Sequence, residues 1–363
     1  MFLTSSNLIH YAIAHGLVDP LHVVKGNCKI YEKGRRNRNF EILTEEENGI
    51  FLKQLSLLND NFVRGIDNEY QAYELASNYA EWSCVLPKFI CYDRARHCLA
   101  IERLARAEAL GDYLYRSGAM SVDIATKLAT TVAAYHQIEL IADNPKHQYF
   151  LEHSKRPWFL SFRELPNNPT GGARAFFEFV RGKTNLFDLL DQVTIEWQQY
   201  AIVHGDLKWE NFLLRFQDQG VPRLYLIDWE LSTWGDVRWD LGGILQSFIT
   251  HHLHRRRLSL DLSPEELMQQ VSYLLQPECD AINRFWCDYC TARAIDEIEA
   301  SVLLQGTIKF AIARLSLSAY EWTCSGTVLH PQAQTLLVLA QAMMDAGTVN
   351  CLRLFGICDG VDA

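Results

Sequence analysis

Residues 204–214 read HGDLKWENFLL, a loop dense in hydrogen-bonding side chains that enters an apolar run. After the turn QDQG comes a second apolar run, RLYLID, which closes on Asp228. Two short apolar runs around a polar turn form a β-hairpin. His204, Asp206, Lys208 and Asn211 then lie on the loop entering the first strand, and Asp228 ends the second. Any fold for this chain has to give that polar hairpin mouth a use.

The chain ahead of the hairpin changes character at about residue 107. Residues 1–22 form an N-terminal helical extension, a short helix ending at Gly16 with Pro20 beyond it. Residues 23–106 carry strand signals near 27–32, 39–44 and 50–55, separated by a basic turn at 33–38 and the polar turn TEEENG. DNEYQAYELASNYAEW predicts a helix capped by Asp67 or Asn68. LPKFICYD and CLAIERL, on either side of RARH, predict two more strands. Residues 107–363 are helical in pattern apart from the hairpin. SVDIATKLATTVAAYHQIEL has a Ser cap and apolar residues at helical spacing, 173–200 predicts a long helix, and everything past 240 is helix-like. The fold class is α+β, a small antiparallel-sheet lobe followed by a larger, mostly helical lobe. At 363 residues the chain is too long for one compact core.

A net charge of −10, from 34 basic and 44 acidic residues, argues against a general nucleic-acid partner, because a phosphate backbone rewards positive charge. The first residues, MFLTSSNLIHYAIAHGLVDP, lack the basic region of a signal peptide. No window approaches the roughly 20 apolar residues of a membrane span, so a cytoplasmic location and no membrane partner are expected. Ten scattered cysteines are then expected to be reduced and mainly buried. Cys287 and Cys290 form a C-x-x-C without the second pair of a zinc site and read as core positions on one helix. Trp158, Trp197, Trp286 and Trp322 also read as core, and HHLHRRR at 251–257 as a charged helix terminus.

Phosphoryl transfer from ATP matches the polar residues. It needs a positioned acceptor, metal-held phosphates and positive charge beside the β/γ oxygens. Asp206 is placed to orient or deprotonate the acceptor, and His204 to brace the loop. Asn211 and Asp228 offer the hard oxygen ligands that suit Mg²⁺. In the first lobe Lys53, in GIFLKQL, is the candidate cation for the phosphates, paired with Glu69 or with the competing Glu74. Arg35, Arg36 and Arg38 of the turn KGRRNR could cover the phosphates, although one Gly34 is a weak signal for a phosphate loop. IERL, 101–104, falls where the lobes join, so the backbone of Glu102 and Leu104 could meet an adenine. The bland alternatives are an exposed strand lysine at 53, a solvated helix face at Glu69 and a solvated hairpin turn for the arginines.

These motifs resemble the aminoglycoside phosphotransferase and choline kinase branch of the protein-kinase-like superfamily. HGDLKWEN followed by LIDWE resembles its catalytic loop and metal-binding aspartate, GDVRWDLGGIL its following segment, and VAAYHQI its helix ending in a histidine, here His136. The resemblance spans about 25–245. It implies a bilobal fold, use of ATP and Mg²⁺, and a small-molecule or peptide acceptor. Lys208 departs from that branch: DLKWEN is similar to the DLKPEN of serine/threonine protein kinases, where the lysine approaches the transferred phosphate. With the basic turn, it gives a weaker resemblance to phosphotransferases of bacterial lanthipeptide and thioamitide-like pathways. Three functions stay open: transfer to a small molecule, transfer to a Ser or Thr of a peptide, and a non-catalytic binding module. Oligomeric state and acceptor identity are not written in the motifs.

Overall fold

The computed structural model describes residues 2–33, 38–44, 49–55, 60–216, 222–256, 258–259 and 261–357. The chain packs into two compact units that are discontinuous in sequence. Unit 1 takes residues up to Leu110, then Ile141–Tyr149 and Asn211–Ser232, and unit 2 takes the rest. The hairpin strands, which the sequence groups with the helical lobe, therefore pack with the first unit.

In unit 1, α1 (Leu8–Ala14) and α2 (Pro20–Val24) precede three strands, β1 (Lys29–Glu32), β2 (Arg38–Leu43) and β3 (Gly49–Gln54). Then follow α3 (Asp60–Ala76), α4 (Ala80–Ser83), β4 (Phe89–Asp93), β5 (Cys98–Glu102) and β6 (Ala107–Ala109). The first five strands form an antiparallel sheet in the order β1-β2-β3-β5-β4. Side chains alternate across a strand, and this sets the use of each face. Ile50 and Leu52 of β3 join Phe40, Ile42, Cys98 and Ala100 in a core closed by Leu3, Leu8, Tyr11, Ala12 and Val18. The N-terminal segment is thus part of this core. Lys53, next to Leu52, points to the other face, where α3 lies.

Helix α3 begins at Asp60, ahead of the cap expected at Asp67 or Asn68. Neither residue caps it. The Asp67 carboxylate accepts from Tyr92 Oη (2.5 Å), and Asn68 Nδ2 donates to Glu230 O (3.1 Å). The hairpin is β8 (Phe212–Arg215) and β9 (Arg223–Leu226), which with β6 makes a three-stranded sheet in the order β6-β8-β9. Trp82 of α4 packs on Trp229 beyond β9, ring centroids 5.1 Å apart.

Unit 2 is helical around a two-stranded ribbon, β7 (Ala201–Val203) with β10 (Thr233–Gly235). Its helices are α5 (Leu110–Ser117), α6 (Val122–His136), α8 (Gly171–Lys183), α9 (Leu186–Glu196), α10 (Val237–Arg255), α11 (Pro264–Leu275), α12 (Cys279–Ala292), α13 (Glu297–Thr323) and α14 (Pro331–Leu354). A further helix, α7 (Pro145–Glu152), begins in unit 1. Side-chain caps fix several starts: Ser121 on α6, Thr170 on α8, Asp236 on α10, Ser263 with Glu266 on α11 and Asp296 on α13. The helix expected over 173–200 is two, broken where Thr184 turns extended between α8 and α9.

Three further expectations are corrected. Helices α13 and α14 are each long and apolar enough to cross a membrane, although the sequence reading admits no such window. Their apolar length is taken up by packing on each other and on α10, with Phe310, Ala311, Leu315, Leu336, Leu339 and Met343 fully buried. Trp158 is 49% exposed and Trp197 and Trp322 are half-buried, so only Trp286 of that group is core. Cys84 and Cys287 are exposed and Cys290 is buried, so the C-x-x-C is not a pair of core positions, and among the described cysteines only Cys98, Cys290 and Cys351 are buried.

Candidate active site

The residues expected to carry chemistry fall into two groups, one within each unit. In unit 1 the centre is Lys53. Its Nζ lies 2.6 Å from Glu69 Oε2, 2.5 Å from Asp228 Oδ1 and 3.5 Å from Glu230 Oε2. Lys53 is 7% and Glu69 2% exposed, so neither is a solvated surface charge. Glu74, the competing partner, is exposed, and its carbonyl accepts from Ser77 Oγ (2.7 Å) and Asn78 Nδ2 (3.1 Å) at the end of α3. Burial opposes the charge on Lys53, but Glu69, Asp228 and Glu230 outweigh it and hold the ammonium protonated well above its ordinary range. Burial pushes Glu69 up, to about 7, with Lys53 opposing.

One cation faces three carboxylates, which leaves an excess of negative charge on which a divalent ion can act. Asp228 has φ 69° and ψ 54°, the left-handed region that Asp tolerates better than most residues. Its carboxylate is 38% exposed. Asn211 stands beside it across the hairpin, since Ile227 N donates to Asn211 O (3.0 Å). Among the described residues no three His, Cys, Asp or Glu side chains form a ready-made metal cage.

In unit 2 the loop after β7 is held by one buried carboxylate. Asp240 Oδ2 accepts from His204 N (2.7 Å) and its Oδ1 from Gly205 N (3.0 Å). The same Oδ2 accepts from Tyr135 Oη (2.9 Å) and lies 3.3 Å from His136 Nε2. His204, fully buried, takes the Asp206 N–H on its Nδ1 (3.2 Å). Asp206 Oδ2 lies 2.7 Å from Lys208 Nζ, and Oδ1 lies 3.4 Å from Arg314 Nη2. Burial lowers Lys208, yet Asp206 and Glu321 outweigh it and raise its pKa.

Other expected residues are placed differently. Arg38 Nη1 donates to Leu3 O (2.8 Å) and its guanidinium lies over the Phe2 ring, so it ties down the N-terminal segment instead of covering phosphates. Arg35 and Arg36 lie outside the described residues. Glu102 N donates to Lys88 O (2.8 Å) and Arg103 N to Gly49 O (2.9 Å). The Glu102 donor is therefore committed, and an adenine contact through its N–H is excluded in this arrangement. Leu104 follows Arg103, beyond these bonds.

Sequence reasoning missed two charged neighbours. Glu230, two places after Asp228, joins the Lys53 cluster. Arg314 lies in the middle of the apolar helical run TIKFAIARLSLSAYEW, five residues after Lys309, and a charge in so apolar a stretch is the signal that marks it.

A family model of the phosphotransferase enzyme family matches residues 27–275, more than half of the chain. No curated protein matches in sequence. Among solved structures, the Plasmodium vivax ethanolamine kinase aligns over 94% of this chain and 89% of its own, at 14% identity and a TM-score of 0.58. The GDP complex of aminoglycoside 2'-phosphotransferase-IIIa aligns over 87% and 93%, at 12% identity and a TM-score of 0.50. A choline/ethanolamine kinase family protein from Mesorhizobium loti aligns over 98% and 99%, at 16% identity and a TM-score of 0.49. At such identities the structural likeness speaks for the fold, which is protein-kinase-like. By the reach of the family match, the chain belongs to the phosphotransferase enzyme family.

Proposed function

We propose that this phosphotransferase moves the γ-phosphate of ATP, with Mg²⁺, to a hydroxyl of a small molecule or peptide. The observation that carries the reading is Lys53, buried and held between Glu69 and Asp228. Lys53 would take the nucleotide phosphates, and Glu69 would keep it aimed at them. Asn211 and Asp228 would hold Mg²⁺, which when bound neutralises charge developing on the phosphate oxygens. Asp206 would accept a hydrogen bond from the acceptor hydroxyl and take its proton as the bond to phosphorus forms and the bond from the γ-phosphorus to the bridging oxygen breaks, with ADP leaving. His204 and Asp240 keep the loop in place and touch no reacting atom. Of the nucleotide contacts expected from sequence, Leu104 remains a candidate for the base.

A peptide acceptor is the second reading, and the Lys208–Asp206 contact at 2.7 Å favours it. A lysine at that carboxylate is placed to follow the phosphate, as in enzymes that phosphorylate Ser and Thr. The test is label transfer from radiolabelled ATP to ethanolamine, choline, kanamycin and Ser- or Thr-bearing peptides, with Asp206→Asn as control. Label only on an amino alcohol or the antibiotic would sink the peptide reading. Turnover retained in Asp206→Asn would remove Asp206 as base. No nucleotide-dependent rise in melting temperature, with or without Mg²⁺, would favour a non-catalytic module.

A further inference from the structure

Arg314 is 3% exposed on α13, among residues that are otherwise apolar or small. Its Nη2 donates to Leu207 O (2.9 Å) and lies 3.4 Å from Asp206 Oδ1. Lys208 holds the other oxygen of the same carboxylate. One cation per oxygen fixes the rotation of the Asp206 side chain. The Arg314 guanidinium also lies over the Trp239 ring, 5.1 Å from its centroid, and Trp239 Nε1 donates to Gly205 O (2.8 Å). Arg314 and Trp239 thus take two carbonyls of the loop whose N–H groups Asp240 takes.

Close helix approach makes this reach possible. A Cβ on Gly242 would sit 2.7 Å from Ala311 N, and one on Gly243 would sit 2.5 Å from Leu207 O and 3.3 Å from Arg314 Nε. Two glycines therefore clear the space that brings α13 onto α10 and Arg314 onto the loop. The arrangement has a thermodynamic cost, because Arg314 Nε is buried without a hydrogen-bond partner. An apolar side chain would pack there without that cost. The cost points to a role in placement.

We propose that Arg314 is a positioning residue that fixes the Asp206 carboxylate and the carbonyl of Leu207 for phosphoryl transfer. This rests on the reading of Asp206 given above. The probe is phosphate release from radiolabelled Mg-ATP with water as acceptor, measured for Arg314→Met, Arg314→Lys, Asp206→Asn and the double variant Asp206→Asn/Arg314→Met. Methionine keeps an apolar stem against Trp239 and removes the charge. The expected result is a loss of about 100-fold in kcat for Arg314→Met, the scale of a misplaced catalytic group. KM for ATP and nucleotide-dependent thermal stabilisation should stay unchanged. Arg314→Lys should recover part of the rate, and Arg314→Met should add nothing in the Asp206→Asn background, because the two act as a unit.

Arg314→Met at the wild-type rate beside an inactive Asp206→Asn would overturn the assignment alone. Equal loss of rate and nucleotide stabilisation in Arg314→Met and Arg314→Lys would make the residue structural and overturn it as well. Asp206→Asn at the wild-type rate would instead overturn the reading of Asp206 beneath it.

Discussion

Replacing Asp240 by Asn tests how the loop is held. The Asp240 carboxylate is fully buried and accepts from Tyr135 Oη, His136 Nε2 and His204 N on one oxygen and from Gly205 N on the other. Asn has one acceptor oxygen. If that oxygen keeps the three-donor side, the new NH₂ faces the Gly205 N–H, and two donors oppose each other. A buried donor left without a partner costs about 1–3 kcal/mol. The three surviving bonds also fall from charge-assisted to neutral strength, roughly half. Together the loss is on the order of 3–5 kcal/mol, as for breaking a buried charged network, a large part of a typical total of about 5–15 kcal/mol. Burial disfavours the ionised carboxylate, yet His136 and the His204 N–H outweigh it, and Asp240 sits below the ordinary carboxylate range. Its folded pKa is depressed, so its contribution is complete above the unfolded value, about 3.9, and is lost as pH falls through the folded one. Urea unfolding of wild type and Asp240→Asn at pH 7, repeated at falling pH, should show a gap that narrows only below the carboxylate range. A gap under about 1 kcal/mol at pH 7, or one that does not narrow in acid, would refute this account of the loop.

Lys53→Met strands three carboxylates without their cation, and should abolish nucleotide-dependent thermal stabilisation and cost about 3–5 kcal/mol of unfolding free energy. Adding Glu69→Gln should restore part of the stability without the binding, as read by melting temperature with and without Mg-ATP. Gly243→Ala should lower the transfer rate by roughly tenfold or more, because its Cβ would press on Leu207 O at 2.5 Å. Wild-type kinetics in that variant would show that the loop can shift without consequence. Burial, opposed by Asp240, holds His136 below its ordinary range and neutral. Unfolding therefore takes up a proton here, and stability should begin to fall as pH drops below about 6.5, a slope that His136→Asn should flatten.

The sheet of unit 1 was readable because turn residues bound each apolar run, and Lys53 because it follows Leu52 on a strand whose other face is core. Glu69 and Glu74 were not separable by pattern. Both lie on α3, and only packing sends one against Lys53 and the other to solvent. Arg38 was misread because its partner, Leu3 O, is distant in sequence and lies in a segment that local signals describe only as a short helix. The partner of the Glu102 N–H, Lys88 O just ahead of β4, is likewise one that periodicity does not identify. The start of α3 was missed because Asp67 and Asn68, good caps in isolation, spend their side chains on Tyr92 and Glu230. Tertiary partners outrank local propensity in each case.

The loop motif has a physical explanation that runs through one glycine. Asp240 takes two successive N–H groups, those of His204 and Gly205. Gly205 has φ +82°, a conformation that L side chains rarely adopt. The following N–H, that of Asp206, points to the His204 ring. The Gly205 carbonyl goes to Trp239 and the Leu207 carbonyl to Arg314. The backbone on both sides of Asp206 is therefore bonded, and its two carboxylate oxygens each meet a cation. Histidine, glycine and aspartate in that order meet the requirements of a backbone gathered onto a buried carboxylate, so that the next side chain is presented in one orientation. The conformation of residue 205 therefore couples the buried network of Asp240 to the side chain proposed to meet the acceptor.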